Sequence, residues 1–125
     1  MSKSNKEIVL EVLRRAFIEH DPTVVGEFFG TNYKQHNPVI PDGASAIAKM
    51  IPRLTSVTYE PGMAVADADI VMVHGRYTGW GPKPMVAVDI FRLVDGKVAE
   101  HWDVLQEEVP AAHTASGNAM FTEPV

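Results

Sequence analysis

Two hydrophobic periods divide the chain near residue 56. Ahead of that point apolar positions recur three and four residues apart; beyond it they alternate, and β-branched residues become frequent. Ser4 and Glu7 form an S-x-x-E pattern, in which hydroxyl and carboxylate satisfy each other's backbone donors. Ile8, Val9, Val12, Leu13, Ala16 and Phe17 then make one apolar stripe, so a first helix is predicted over about 4–19. Asp21-Pro22 supplies a second start signal, an acidic cap followed by proline at the first helical position. Val24, Val25, Phe28 and Phe29 are its buried face, and Gly30 is placed to end it in the left-handed conformation. A third helix is expected from near Gly43, carrying Ala44, Ile47, Ala48 and Ile51 and ending at Pro52. The polar and aromatic stretch 33–38 between the second and third helices reads as a connection.

After residue 56 the alternation predicts four strands, over about 57–66, 70–79, 85–93 and 97–108. They are joined at Asp67-Ala68-Asp69, through the Gly/Pro-rich loop 79–84, and at Asp95-Gly96. Pro61-Gly62 marks an edge strand or a bulge. Helices followed by an antiparallel meander make an α+β fold. The expected architecture is three N-terminal helices packed in a curved, mostly antiparallel sheet of four to six strands, with a cavity between them suited to a small molecule. With 125 residues, the chain is expected to be a single domain, its core over about 4–108 and a small, polar tail over 109–125.

The last hairpin sets which side chains share a face. A two-residue turn at Asp95-Gly96 would pair Val94 with Lys97 and set Asp89 against Trp102. A three-residue turn ending in a glycine bulge would pair Leu93 with Lys97 and set Asp89 against His101, with Asp103 diagonal to it. Composition favours the second register. It gathers Ala87, Asp89, Phe91, Ala99, His101, Asp103 and Leu105 on one side, as a pocket lining. It leaves Val86, Val88, Ile90, Arg92, Val98, Glu100, Trp102 and Val104 on the other, as a subunit interface, with Arg92 and Glu100 paired there.

Two carboxylates and an imidazole around one cavity can share proton traffic, since burial and a neighbouring carboxylate both raise a carboxyl pKa towards the range useful to a general base. The same three groups could equally serve only to bond one another and backbone amides. Tyr33 is a phenol donor or a core aromatic; His74 and Arg76 share one strand face and reach the pocket or solvent; Trp80 rims the pocket or lies on the surface. His36, His74 and His101 could converge with Asp89 or Asp103, but no H-x-H, H-x-x-E or H-E-x-x-H spacing supports a metal site.

Charge and composition narrow the partners. The net charge is −5, and residues 57–125 carry four basic against ten acidic side chains, which excludes a dedicated nucleic-acid surface. No cysteine is present, so thiolate sites and a cysteine nucleophile are excluded. No apolar run approaches the ~20 residues of a membrane helix, and the charged N-terminus lacks a signal core. A cytoplasmic protein without membrane or nucleic-acid partners is expected.

The Tyr33-Lys34-Gln35-His36-Asn37-Pro38 segment, together with Val88-Asp89-Ile90-Phe91-Arg92 and Asp95-Gly96-Lys97-Val98-Ala99-Glu100-His101-Trp102-Asp103, resembles the SnoaL-like polyketide cyclases. These belong to the nuclear-transport-factor-2-like superfamily of cone-shaped α+β barrels, with ketosteroid isomerases and limonene-epoxide hydrolases. The resemblance runs from the first helix to about Gln106. It implies chemistry without metal or cofactor, with Asp103 as the base of an aldol-type ring closure and His101 or Asp89 adjusting it. Asp89 stands where the characterised cyclases carry a different polar group. His36 and Asn37 match the pocket-rim motif and would donate to a carbonyl or enolate oxygen, with Tyr33, His74, Arg76, Trp80 and Phe91 completing the substrate contacts. The expected function is acid/base catalysis on a carbonyl compound, by cyclisation or isomerisation through an enolate. A non-catalytic module for a small hydrophobic ligand and epoxide-hydrolase-like activation of water, with Arg76 beside the aspartates, are the alternatives. A homodimer is expected through the face bearing Val88, Ile90, Trp102 and Val104, since monomers seldom expose an apolar patch of that size.

Overall fold

The capping signals at the N-terminus operate as read. In the computed structural model, which describes residues 2–123, helix α1 spans Asn5–Phe17. Glu7 N–H donates to the Ser4 hydroxyl at 3.1 Å and Ser4 N–H to the Glu7 carboxylate at 3.0 Å. Helix α2 spans Thr23–Phe28, with the Asp21 carboxylate accepting from Thr23 N–H at 3.0 Å. Met1 and the last two residues of the predicted tail lie outside the described residues.

Gly30 does not cap α2. Phe29 turns the chain directly into extended backbone (φ −100°, ψ 139°), and strand β1, Phe29–Gln35, follows without a loop. The segment read as a connection is therefore an edge strand. Helix α3 covers Ala44–Met50 and passes into a single 3-10 turn, Ile51–Arg53, where Pro52 ends it. Strands β2 (Thr58–Asp67), β3 (Ile70–Thr78), β4 (Met85–Val94) and β5 (Lys97–Glu107) form the predicted meander. The sheet has five strands in the order β1-β5-β4-β3-β2, antiparallel except for the β1–β5 pair. β2 is an edge strand, and its register shifts between Pro61 and Ala64, so Pro61-Gly62 marks both an edge and a bulge.

The β4–β5 hairpin departs from the expected register. Asp95 (φ 50°) and Gly96 (φ 74°) both occupy the left-handed region, and Val94 pairs with Lys97 across a two-residue turn. Such a turn matches the right-handed twist of its strands. The extra residue sits further along: Leu93 opposes Val98 and Arg92 opposes Glu100, leaving Ala99 as a bulge. Asp89 thus faces Asp103 and Phe91 faces His101. Val98, expected outside, is fully buried in the core beside Leu93.

The concave face packs on the helices. Val9, Val12, Leu13 and Ala16 of α1 join Val24, Ile47 and Ile51 against Val71, Val73, Phe91, Leu93 and Val98 of the sheet. Burial of each of the larger of these side chains contributes about 1.5–3 kcal/mol. The predicted tail returns over the convex face, where Phe121 is buried beside Gly62, His74 and Arg76.

Tyr59 lies flat over Gly75, where an added Cβ would stand 2.2 Å from the tyrosine oxygen. Tyr59 is fixed in turn by Phe17 and Tyr77. Gly75→Ala is expected to lower stability by about 1–3 kcal/mol, the usual cost of overpacking, read as a reduced midpoint in urea unfolding. An unchanged midpoint would mean that Tyr59 moves aside freely.

Candidate active site

Alternation along three strands selects the side chains that enter the cavity. On β4 the inward positions include Asp89 and Phe91; on β5, His101, Asp103 and Leu105; on β1, Tyr33 and Gln35, with Asn37 just beyond. They form one wall of a cavity of about 280 Å³. Val12, Leu13, Ala16 and Phe17 of α1 make the opposite wall, and Ile47 and Met50 of α3 a third side. Val39, Ile40, Trp80, Gly81 and Met85 edge the mouth.

The polar groups on this apolar lining are joined by hydrogen bonds. Tyr77 Oη donates to Asp89 Oδ2 at 2.7 Å, and Asp89 Oδ1 meets His101 Nε2 at 2.8 Å. His101 Nδ1 lies 2.7 Å from Gln35 Oε1, and Gln35 Nε2 donates to Tyr33 Oη at 2.7 Å. Asn37 Nδ2 donates to both oxygens of Asp103 at 2.9 Å, while Asn37 Oδ1 accepts Val39 N–H at 2.9 Å, which fixes the amide's orientation. Asp103 Oδ2 is 3.9 Å from His101 Nε2.

Asp89 and His101 are buried. Burial pushes the Asp103 carboxyl above the ordinary aspartate range, and the Asp89 charge adds to the shift; the Asn37 bonds and the His101 ring oppose it. Burial likewise raises the phenols of Tyr33 and Tyr77, and the Asp89 carboxylate reinforces both shifts. Both phenols therefore keep their protons: Tyr77 donates its own to Asp89, while Tyr33 accepts from Gln35. Asp89, His101 and Asp103 offer donor atoms within 4.8 Å of one another. His101 Nε2 is engaged by Asp89, and groups at these distances can share protons.

Of the residues singled out from sequence, Asp89, His101, Asp103, Tyr33, Asn37, Phe91 and Trp80 are brought together at the cavity. Trp80 packs on Phe17 and Tyr77, with ring centroids 6.3 Å away in each case. Three residues lie elsewhere. His36 points to the convex side, stacked on Trp102 at 5.1 Å and bonded to Glu100 at 2.6 Å. His74 and Arg76 alternate outward on β3, where Arg76 pairs with Glu60 and Glu108. The sequence reading misses Gln35, which alternation on β1 would have placed inside.

These roles separate in stability measurements. Asp89→Ala strands the Tyr77 hydroxyl and the His101 ring in buried surroundings, and is expected to cost about 3–5 kcal/mol, as for a broken buried pair. Asp103 behaves oppositely. A carboxyl whose folded-state pKa is raised binds its proton more tightly folded than unfolded, so its ionisation removes stability as pH rises through and above ~3.9. Asp103→Asn should therefore match or exceed the parent in urea unfolding at pH 7, an advantage that vanishes by about pH 3. A sharp loss of stability at pH 7 would mark Asp103 as structural.

Known proteins give the fold its context. Among curated proteins no sequence matches the chain. The TsrD structure from Streptomyces laurentii superposes with a TM-score of 0.70 at 20% identity, over 85% of this chain and 91% of that one. A nuclear-transport-factor-2-like protein of unknown function from Cytophaga hutchinsonii gives 0.74 at 13% identity, over 85% and 93%. A protein from Jannaschia sp. CCS1, provisionally named a SnoaL-like polyketide cyclase, gives 0.67 at 19% identity, over 85% and 91%. The cone-shaped α+β fold is thus shared with the nuclear-transport-factor-2-like proteins. Among the described residues no helix is long and apolar enough to cross a membrane. Residues 9–101 match the model of the SnoaL-like domain, and the chain belongs to that family.

Proposed function

We propose that the protein is a cofactor-independent acid/base catalyst that removes a proton from carbon alpha to the carbonyl of a small, largely apolar compound. The observation that carries this reading is Asp103. Its carboxylate sits on an apolar cavity wall, is held by two hydrogen bonds from one amide, and is kept by burial above the usual aspartate range. Charged groups on such a wall are costly to bury unless they are compensated, and raised basicity suits a carboxylate to proton abstraction.

An enolate oxygen needs a donor. Asn37 spends its amide on Asp103, and His36 lies outside the cavity. Tyr33 Oη accepts from Gln35 and its own proton is uncommitted among the described residues, so it supplies the donor. The resulting carbanion equivalent is then reprotonated elsewhere, as in an isomerisation, or closes on an internal carbonyl, as in an aldol cyclisation.

Exchange of α-protons for deuterium in an apolar bicyclic ketone such as 1-tetralone, followed by NMR in D₂O, tests the reading without the natural substrate. The protein should accelerate exchange, and Asp103→Asn should reduce the acceleration by ~10²–10⁴-fold. The rate should fall towards acid pH with a midpoint above ~3.9, because a protonated Asp103 is no base. Binding of the ketone without accelerated exchange would favour the ligand-binding module instead.

The convex face supports a homodimer as part of the same proposal. Val104 and Met72 are exposed there, beside the half-buried Val88, Ile90 and Trp102. Trp102→Glu should shift sedimentation at micromolar concentration from dimer to monomer; a monomeric parent would refute the interface.

A further inference from the structure

Gln35 lies where three hydrogen bonds meet, and they leave its amide one orientation. Its Oε1 accepts Asn37 N–H at 3.0 Å, and its Nε2 donates to Tyr33 Oη at 2.7 Å. A rotated amide would press its NH₂ against the Asn37 N–H, donor against donor. The atom 2.7 Å from His101 Nδ1 is therefore an acceptor, and Nδ1 must carry a proton.

That proton constrains the far side of the ring. Asp89 Oδ1 is 2.8 Å from His101 Nε2, and Asp89 Oδ2 already accepts from Tyr77. With Nδ1 protonated, the Asp89–His101 contact still needs a hydrogen of its own. It is either an imidazolium N–H facing a carboxylate or a neutral ring nitrogen facing a carboxylic acid. Both forms have no net charge. Without an acceptor at Nδ1, the ring could instead carry its single proton on Nε2, facing the carboxylate, and the couple would be an anion.

We propose that Gln35 is a positioning residue that holds His101 in the Nδ1–H form and thereby keeps the Asp89–His101 couple net neutral. This rests on the reading of Asp103 as the base and goes further, for among the described residues it assigns the uncompensated negative charge at the cavity to Asp103. The ionisable groups around the ring are Asp89, Asp103, Tyr77 and Tyr33, and Phe91 covers it at 4.8 Å between ring centroids. A neutral couple lets Asp103 act as an anion beside Asp89 without a second anion opposing it or the enolate. Gln35 acts through His101.

The ring nitrogens of His101 report this directly in ¹⁵N-labelled protein, through long-range ¹H–¹⁵N correlations at pH 7 and without any substrate. The parent should show Nδ1 protonated. Gln35→Met, similar in length but without an acceptor, should show Nδ1 bare and Nε2 protonated. Gln35→Glu, which restores an acceptor, should return the proton to Nδ1. A bare Nδ1 in the parent, or an unchanged ring in Gln35→Met, overturns the proposal. A bare Nδ1 in Gln35→Glu overturns it equally, so failure of the Met variant to fold leaves the test intact. The ketone assay adds the functional arm: Gln35→Met should slow α-proton exchange at least tenfold, and an unchanged rate would deny Gln35 any role in the reaction. If the nitrogen pattern holds while Asp103→Asn exchanges as fast as the parent, the carbonyl reading fails and the tautomer assignment stands.

Discussion

Between Arg92 and Leu93 on one strand and Val98, Ala99 and Glu100 on its neighbour, the ladder carries three residues against two, and the chemistry of the cavity depends on that inequality. Strand side chains alternate faces, so one inserted residue exchanges the inside and outside of everything beyond it. With the bulge at Ala99, Val98 fills the core before it, and His101, Asp103 and Leu105 line the cavity after it. Without it, the two-residue turn would carry Glu100, Trp102 and Val104 to the concave side. Bulges often re-aim side chains next to active sites, and this one re-aims the cavity-lining half of β5.

Placing Asp89, His101 and Asp103 together in apolar surroundings is costly unless each has partners. Every contributing element supplies one: β3 gives the Tyr77 hydroxyl, β1 gives Gln35, and the segment after β1 gives Asn37. The partners differ in kind. Both aspartates line the cavity, but Asp89 is bonded by a phenol and an imidazole, whereas Asp103 is held by a single amide. Two aspartates facing each other across one ladder rung thus acquire unlike environments, the condition under which neighbouring carboxyls can take different tasks.

Much of this architecture is legible in the sequence because the strongest signals are local. The capping box, the Asp95-Gly96 turn and the alternation after residue 56 each correspond to an element. Composition alone identifies the face shared by Asp89, Phe91, His101 and Asp103, although it misplaces the cause: the irregularity lies at Ala99 and not in the turn. β1 is the costly omission. Tyr33-Lys34-Gln35-His36 has too few apolar residues to announce a strand, and its pairing with β5 is parallel and distant in the chain, invisible to any short window. As a loop it offers no alternation, so nothing separates His36 from Asn37. As a strand, it sends Tyr33 and Gln35 inward and His36 outward. Strand β3 carries no register signal of its own, and only the burial of Val71, Val73 and Tyr77 in the core turns His74 and Arg76 outward.

The convex face shows how residues set aside by one site are used elsewhere. His36 stacks on Trp102 and bonds Glu100, which also accepts from Arg92, so a ring, an indole and an ion pair make one layer over the β1–β5–β4 end. At the other end the tail lays Phe121 over Arg76, at 4.9 Å from the guanidinium, and against His74. Gly62 makes this possible, since a Cβ there would stand 2.9 Å from the Phe121 ring and 2.6 Å from the His74 carbonyl oxygen. The tail therefore covers the sheet around Gly62, His74 and Arg76 and leaves Val104 and Met72 uncovered. Any partner would meet an apolar strip bounded by charged pairs on both sides. Attraction to such a partner would come from the apolar middle, while the flanking pairs, largely satisfied within the chain, would contribute more to alignment than to affinity.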